Sequence, residues 1–210
     1  WGNNELQYYT NRPENVYLNN GKLVIQAKKE SYSGSAYTSA RLLTQNKKTF
    51  TFGRVDIRAK LPVGNGLWPA LWALGSKITQ TGWPACGEMD IMELVGKEPN
   101  KVHGTFHWGA STSVHQYYGL PYSLPTGDYS DKFHVFTMIW EADQVEIFMD
   151  DISYVKFNRT RVGNAGYPFN EPFFLIMNVA VGGNWPGSPP ATTIFPQQMI
   201  VDYVRVFKKI

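Results

Sequence analysis

The stretch GEMDIMELVG (87–96) decides the fold, because it has the composition of a β-strand but carries three acidic side chains within six residues. Side chains alternate between the two faces of a strand, so Glu88 and Asp90 point to one face and Met92 is next in line. Glu93 is therefore one residue out of register. Either it points to the opposite face, where an ionised carboxylate among apolar neighbours is costly, or a one-residue bulge after Asp90 returns it to the first face.

The rest of the chain indicates one all-β domain. Short apolar or alternating runs recur between Gly, Pro, Asn and Asp clusters, and 210 residues with 43% hydrophobic residues can bury one large core. We therefore expect an antiparallel two-sheet β-sandwich of the jelly-roll type, forming a single domain over 1–210. The predicted strands are 23–27, 37–43, 54–61, 67–74, 88–95, 101–108, 133–140, 144–150, 173–181 and 199–207.

The run RVDIRAKL (54–61) has the clearest alternation of apolar and charged residues. This alternation predicts a sheet with one face packed on the core and the other exposed to solvent. The side chains expected to face the core are Val55, Ile57, Ala59 and Leu61. Those expected to face solvent are Arg54, Asp56, Arg58 and Lys60. The pair Asp150-Asp151 predicts a tight hairpin between two strands.

Composition excludes several classes of protein. The net charge of +3 comes from 20 basic and 17 acidic residues without a Lys/Arg run, so nucleic acid is not an expected partner. No apolar run approaches the roughly 20 residues of a membrane helix, so no membrane partner is expected. Cys86 is the single cysteine, which excludes an intrachain disulfide and predicts a small buried residue.

The three acidic residues allow a metal site, a solvated charge cluster or a catalytic pair. With the bulge, Glu88 and Glu93 are four regular strand steps apart, about 13 Å between Cα atoms, and their side chains could converge. Glycoside hydrolases that retain anomeric configuration need two carboxyls about 5–5.5 Å apart. Asp90 between them would repel both and keep one carboxyl protonated near neutral pH.

Aromatic and histidine spacing adds to this pattern. Trp68 and Trp72 are four residues apart and share a strand face, as indole rings that stack on sugars in a groove would, whereas Trp140 lies in an apolar strand and is assigned to the core. His103 and His107 are also four apart and could form a metal pair. Without a third ligand of matching spacing, a hydrogen-bonding role beside the carboxylates is favoured, with His103 an ordinary satisfied histidine.

The pattern E-x-D-x-x-E at Glu88, Asp90 and Glu93 resembles glycoside hydrolase family 16, in particular its laminarinase-like branch of endo-β-1,3-glucanases. The resemblance covers nearly the whole chain. Its segments are WGNNELQYYT (1–10), TSARL (38–42), FGRVDIRAKLPVGNGLWPALWALG (52–75), WPACGEMDIMELVG (83–96), HGTFHW (103–108), FHVFTMIWEADQVEIFMDD (133–151), NVAVGGNWPG (178–187) and VDYVRVF (201–207).

The resemblance implies a concanavalin A-like jelly roll with a concave substrate groove. It implies that Glu88 is the nucleophile, that Glu93 is the acid/base and that Asp90 assists them, with no catalytic cofactor. It also implies that substrate is bound by Asn3, Arg41, Trp68, Trp72, Trp83, His107, Asn184 and Trp185.

The chain departs from the family pattern at its start. Family members usually carry one more strand before WGNNE, which pairs with the strand that matches VDYVRVF (201–207). The chain is therefore expected to lack that strand and to leave an unpaired edge along 199–207. The family's structural calcium site draws ligands from the same segment and from an aspartate that matches Asp202, so Asp202 is the one candidate calcium ligand here.

The function implied by the resemblance is endo-acting, retaining hydrolysis of β-1,3-glucan such as laminarin, with mixed-linkage β-1,3-1,4-glucan as a second substrate. Alternatives are a hydrolase of agarose or carrageenan, a non-catalytic β-glucan-binding module and a transglycosylase. The segments around Trp68 and Trp83 favour laminarinases, and recognition modules typically lack the two glutamates that this chain keeps. We expect a secreted monomer whose partner is a β-glucan and whose leader is not part of this chain.

Overall fold

The computed structural model describes residues 2–163 and 166–208. Within them the chain forms fifteen strands, one short α-helix, α1 (Ile78–Thr81), and three 3-10 helices, Thr112–Val114, Arg159–Arg161 and Pro168–Asn170. The strands are β1 (Gln7–Tyr9), β2 (Val16–Asn19), β3 (Lys22–Tyr32), β4 (Ser35–Ser39), β5 (Arg41–Leu43), β6 (Gly53–Lys60), β7 (Leu67–Gly75), β8 (Glu88–Leu94), β9 (Lys101–Trp108), β10 (Gln116–Ser123), β11 (His134–Trp140), β12 (Gln144–Met149), β13 (Ile152–Asn158), β14 (Phe173–Val181) and β15 (Gln197–Phe207). None of the helices in these ranges has the length and hydrophobicity to cross a bilayer.

The strands form two sheets, which confirms the expected all-β sandwich. In the described residues, nine strands form one sheet in the order β1-β4-β3-β15-β6-β11-β12-β13, with β2 also paired to β3. Six strands form the other in the order β10-β9-β8-β7-β14-β5. One pair departs from the antiparallel expectation, since β1 runs parallel to β4. No hairpin joins these two strands, so their direction is not constrained.

The core between the sheets is apolar and aromatic. Trp140 is 1% exposed, and its indole makes edge-to-face contacts with Phe50 and Phe173. Its Nε1 donates a hydrogen bond of 2.7 Å to the Phe169 carbonyl, so the one polar atom of the indole is satisfied. Cys86 is buried as expected. Both residues have the structural role that the sequence predicted.

Strand β6 keeps the predicted alternation with one exception. Its core-facing side chains are almost completely buried. Asp56, however, was expected to face solvent and is only 9% exposed. Its Oδ1 accepts hydrogen bonds from Arg54 Nε at 2.7 Å and Thr137 Oγ1 at 2.8 Å. The expectation was wrong because β6 lies between β15 and β11, whose side chains cover the outer face of a central strand.

The predicted strand 37–43 is in fact two strands in different sheets. The chain passes from β4 to β5 at the buried Ala40, and β5 then pairs with β14. Four strands, β1, β2, β10 and β13, are not among the predicted ranges, although the hairpin expected at Asp150-Asp151 implied a strand where β13 lies. The exposed faces of β1, β2 and β10 leave them without the apolar runs on which the prediction relied.

The predicted hairpin at Asp150-Asp151 is confirmed. It joins β12 to β13, and both aspartates have a positive φ, 45° and 67°. Two consecutive positive φ values match the twist of the flanking strands, which is why short polar residues are favoured in such two-residue turns.

The expected unpaired edge along 199–207 is shorter than the sequence implied. In the described register, Met199 pairs with β3, residues 200–201 pair with both β3 and β6, and 203–207 pair with β6 alone. Between them, an Asp202 carboxylate oxygen lies 2.6 Å from Arg58 Nη1, and the other lies 3.9 Å from Lys22 Nζ. Calcium requires several oxygen ligands, so a carboxylate already held by two cationic side chains does not fit the calcium site suggested for Asp202.

Candidate active site

A bulge in β8 brings the three acidic side chains to one face of the six-stranded sheet. Along β9, Asp90 pairs with Thr105 and Glu93 with His103, so three steps on β8 match two on β9. The extra residue keeps Ile91 and Met92 in the core, each 0% exposed. Of the two conformations considered for residues 87–96, the structure therefore confirms the one with a bulge after Asp90.

The acidic face lines a cavity of about 540 Å³. Trp72 lies opposite Asp90, and Ala70 lies opposite Glu93, which places the tryptophans of β7 beside the carboxylates of β8. The lining side chains include Glu88, Asp90, Glu93, Asn3, Glu5, Arg41, Trp68, Trp72, Trp83 and Asn178. Of the eight predicted substrate-binding residues, five therefore line this cavity.

A larger cavity, of about 710 Å³, lies elsewhere on the protein. Its lining is formed around Phe52, Trp140 and Phe207, and among the described residues that line it Glu141 alone is acidic. Acid–base catalysis on a sugar needs two carboxyls that act on the same bond. The cavity beside β8 is therefore the candidate active site.

Glu93 is held by Trp68, whose Nε1 donates a hydrogen bond of 3.0 Å to Glu93 Oε1. Burial raises the pKa of Glu93 to about 8, and the negative charge of Asp90 adds to the rise. The electrostatic interaction with His107 and the hydrogen bond from Trp68 lower the pKa of Glu93, but by less. At neutral pH the Glu93 carboxyl is therefore mostly protonated and can act as an acid.

Glu88 and Asp90 face the imidazole of His107. His107 Nε2 lies 3.2 Å from Asp90 Oδ2 and 3.8 Å from Glu88 Oε1. Burial raises the pKa of Asp90 to about 8 and, together with the charge of Asp90, holds the pKa of Glu88 well above its usual range. His107 and a hydrogen bond from Trp83 favour the ionised form of Glu88. The raised pKa values mean that the cluster retains protons at neutral pH. Within it, Glu88 is the carboxylate whose negative charge is stabilised by His107 and Trp83.

His107 has a partner that the sequence did not point to. Its Nδ1 lies 2.9 Å from His115 Nε2, and the His115 ring packs 4.5 Å from the ring of Trp83. His115 precedes β10 in a loop without periodicity, so only its proximity in sequence could have suggested the contact. His103 instead packs against Trp185 at 5.0 Å, which agrees with its assignment as an ordinary histidine.

The aromatic wall beside the carboxylates is built on Trp72. Its Nε1 donates a hydrogen bond of 2.8 Å to Asn178 Oδ1. Asn178 is 3% exposed and donates in turn to the Tyr9 hydroxyl at 3.3 Å. Arg41 lies over the Trp72 ring at 5.6 Å and 3.5 Å from the carboxylate of Glu5. The sequence analysis missed Asn178, although a lone amide within an apolar strand was its signal.

Three of the predicted substrate-binding residues, Asn3, Asn184 and Trp185, lie at different positions relative to the cavity. Asn3 lines the cavity, and its carbonyl accepts a hydrogen bond of 2.8 Å from the Asn184 amide. The Asn184 side chain is bound to Asn4 at 2.9 Å, so it supports the loop and is not part of the cavity lining. Trp185 lies edge-on to Trp68 at 5.5 Å and is 37% exposed, which places it beside the cavity.

Fold and site together define a class of protein: a carbohydrate-active β-sandwich, with acidic residues on a bulged strand and an aromatic wall beside them. The chain belongs to glycosyl hydrolases family 16, whose sequence profile matches residues 3–205.

Relatives in this family are similar over nearly the whole chain. Glucan endo-1,3-beta-glucosidase A1 of Niallia circulans is 42% identical over 100% of this chain, and beta-glucanase of Rhodothermus marinus is 44% identical over 99%. The chain spans 33% of the first and 76% of the second. The laminarinase catalytic domain of Thermotoga maritima is 46% identical with a TM-score of 0.93, and the match covers 100% of this chain and 86% of that one.

Proposed function

We propose that this protein is an endo-acting, retaining glycoside hydrolase that cleaves β-1,3-glucan such as laminarin. The observation that carries the proposal is the bulge in β8, which turns Glu93 to the same face as Glu88. A regular strand would place one of these glutamates in the core. Two carboxyls on one face of a groove are what hydrolysis of a glycosidic bond requires.

In the proposed reaction, Glu88 attacks the anomeric carbon and Glu93 protonates the departing sugar oxygen. A covalent glycosyl-enzyme intermediate forms, and Glu93, now ionised, removes a proton from the water that releases the sugar. The raised pKa of Glu93 suits the acid role. The contacts of Glu88 with His107 and Trp83 favour its charged form, as a nucleophile requires.

Asp90 and His107 are proposed to control the charge of the nucleophile. Asp90 lies between the glutamates and is 3% exposed, so its charge acts on both through a poorly solvated region. When Asp90 is protonated, this repulsion is removed and Glu88 ionises more readily. Proton exchange within the cluster thus links the states of the two catalytic carboxyls.

The substrate class rests on the relatives and on the aromatic wall. The similar proteins carry names that refer to 1,3-beta-glucan and laminarin, and one similar structure is a non-specific endo-beta-1,3(4)-glucanase. Trp68 and Trp72 supply flat apolar surfaces for pyranose rings. We therefore propose β-1,3-glucan as the preferred substrate and mixed-linkage glucan as the second.

The proposal also covers the localisation, the oligomeric state and the domain organisation of the enzyme. A glucan polymer cannot cross a bilayer, so we propose that the chain acts outside the cell, as a monomer and as one catalytic domain over 1–210. Size-exclusion chromatography with light scattering checks the oligomeric state, and a mass corresponding to a dimer would contradict it.

Product analysis tests the proposed activity. The protein is incubated separately with laminarin, barley mixed-linkage glucan and agarose, and the products are identified by mass spectrometry. We expect short β-1,3-linked oligosaccharides to form fastest from laminarin. Faster release from agarose would contradict the substrate class, and bound but uncleaved laminarin would favour a recognition module.

A further inference from the structure

Three side chains of the active site also have the chemistry and spacing of a metal site. Within the described residues, Glu88, Asp90 and His107 place one ligand atom each within 4.8 Å of the other two. The His107 Nε2 atom lies 3.2 Å from Asp90 Oδ2 and 3.8 Å from Glu88 Oε1. In a tetrahedral zinc site with bonds of about 2.0–2.1 Å, neighbouring ligand atoms are roughly 3.3 Å apart.

The second observation is that Asp90 Oδ2 accepts no hydrogen bond in the described structure, although the atom is buried. Asp90 is 3% exposed, and Oδ2 is its atom nearest to His107 Nε2. A buried carboxylate oxygen without a hydrogen bond is energetically unfavourable. An ion at the centre of the three ligand atoms would satisfy it.

The imidazole of His107 is already oriented as a metal ligand. Metal-binding histidines use one ring nitrogen for the ion and hydrogen-bond the other, which fixes the ring. Here Nε2 faces the carboxylates, and Nδ1 lies 2.9 Å from His115 Nε2. When Nε2 binds the ion, Nδ1 carries the ring proton and donates a hydrogen bond to His115 Nε2.

We propose that Glu88, Asp90 and His107 bind Zn²⁺ in the empty groove, with the fourth position open to water. Two carboxylates and one imidazole suit Zn²⁺ better than Mg²⁺ or Ca²⁺, which prefer oxygen ligands alone. The ion has no part in the hydrolytic reaction. If the proposed function is right, bound Zn²⁺ occupies the nucleophile and inhibits hydrolysis, and a chelator restores activity.

Isothermal titration calorimetry with zinc chloride, on the full chain and without substrate, tests the site. We expect one Zn²⁺ per chain. The affinity should fall at least about tenfold in His107→Gln and in Glu88→Gln, which remove ligands from two different strands. Magnesium and calcium chloride should give affinities at least about tenfold weaker than zinc.

Two variants serve as matched controls, with folding checked by circular dichroism. His103→Gln removes a histidine of the same strand that faces Trp185, and Glu93→Gln removes a carboxylate of the same cavity that is held by Trp68. Both should bind Zn²⁺ within about threefold of wild type. No binding at millimolar zinc, unchanged affinity in His107→Gln or equal loss in His103→Gln would overturn the proposal. Because no substrate is present, failure of the hydrolysis assay would not affect this result.

Discussion

Trp68 Nε1 donates a hydrogen bond of 3.0 Å to Glu93 Oε1, so one residue of the aromatic wall directly contacts the proposed acid. The bond joins β7 to the bulged part of β8. It favours the ionised form of Glu93, whose pKa is nevertheless raised to about 8 by burial. The proposed sugar-binding surface and the proposed acid are therefore joined by one indole.

The pH dependence of kcat/KM should be bell-shaped. A group with a raised pKa stays protonated to higher pH, so Glu93 loses its acidic proton, and activity falls, as pH rises through about 8. On the acidic side, activity should fall as Glu88 is protonated, at a pH above the usual range of a glutamate, since its pKa is raised. Initial rates on soluble laminarin from pH 4 to 10 measure both limbs. Full activity retained beyond pH 10 would contradict the role of Glu93.

Trp68→Phe should move the alkaline limb to higher pH. The substitution keeps an aromatic ring but removes the N–H that lowers the pKa of Glu93. The matched control is Trp72→Phe, because the indole of Trp72 donates to Asn178 and not to a carboxylate. The same rate measurements apply. An equal shift in the two variants would mean that the effect is not due to the hydrogen bond.

Glu88→Ser should abolish hydrolysis and leave oligosaccharide binding largely intact. The substitution removes the nucleophile, whereas the aromatic wall and Arg41 lie elsewhere in the cavity. Calorimetric titration with laminarin oligosaccharides compares the variant with wild type. If affinity falls as steeply as the rate, Glu88 acts mainly in binding.

Trp72→Ala and Trp140→Ala should separate binding from stability. Trp72 lines the cavity, so its loss should weaken oligosaccharide binding about tenfold, or roughly 1.4 kcal/mol. Trp140 is 1% exposed in the core, so its loss should lower the free energy of unfolding by about 3–5 kcal/mol. Titrations and urea unfolding measure the two quantities. If both variants are folded and weaken binding equally, the assignment of Trp72 to the cavity and of Trp140 to the core is wrong.

Gly75→Ala should destabilise the fold next to the site. A Cβ at Gly75, the last residue of β7, would lie 1.8 Å from the Cys86 carbonyl oxygen, which is backbone and cannot move aside easily. We expect the free energy of unfolding to fall by about 1–3 kcal/mol or more. Gly2→Ala is the control, since nothing lies within 4 Å of its Cβ position. Urea unfolding that gives similar stabilities for the two variants would contradict this packing.

The sequence predicted the parts of the fold that depend on local alternation. The core face of β6 and the hairpin at Asp150-Asp151 follow from period-two patterns and turn chemistry. The same periodicity left a bulge after Asp90 as one of two alternatives, and the structure has the bulge. The burial of Asp56 and the change of sheet at Ala40 depend on which strands become neighbours. That pairing is long-range, so no local pattern contains it.

The site was predictable to a similar degree. Spacing brought together Glu88, Asp90 and Glu93, and it gave Trp68 and Trp72 a common face. It could not find His115, whose contact with His107 depends on the course of an irregular loop. The family resemblance placed Asn184 among the substrate-binding residues, although its side chain is bound to Asn4.

The central claim is double displacement by Glu88 and Glu93, and the anomeric configuration of the first product tests it most directly. Proton NMR follows the hydrolysis of a laminarin oligosaccharide during the first minutes, before the two anomers equilibrate. The account predicts that the β-anomer appears first, because two displacements at the same carbon restore the original configuration. Initial release of the α-anomer would mean a single displacement by water, and would contradict the assignment of Glu88 as nucleophile.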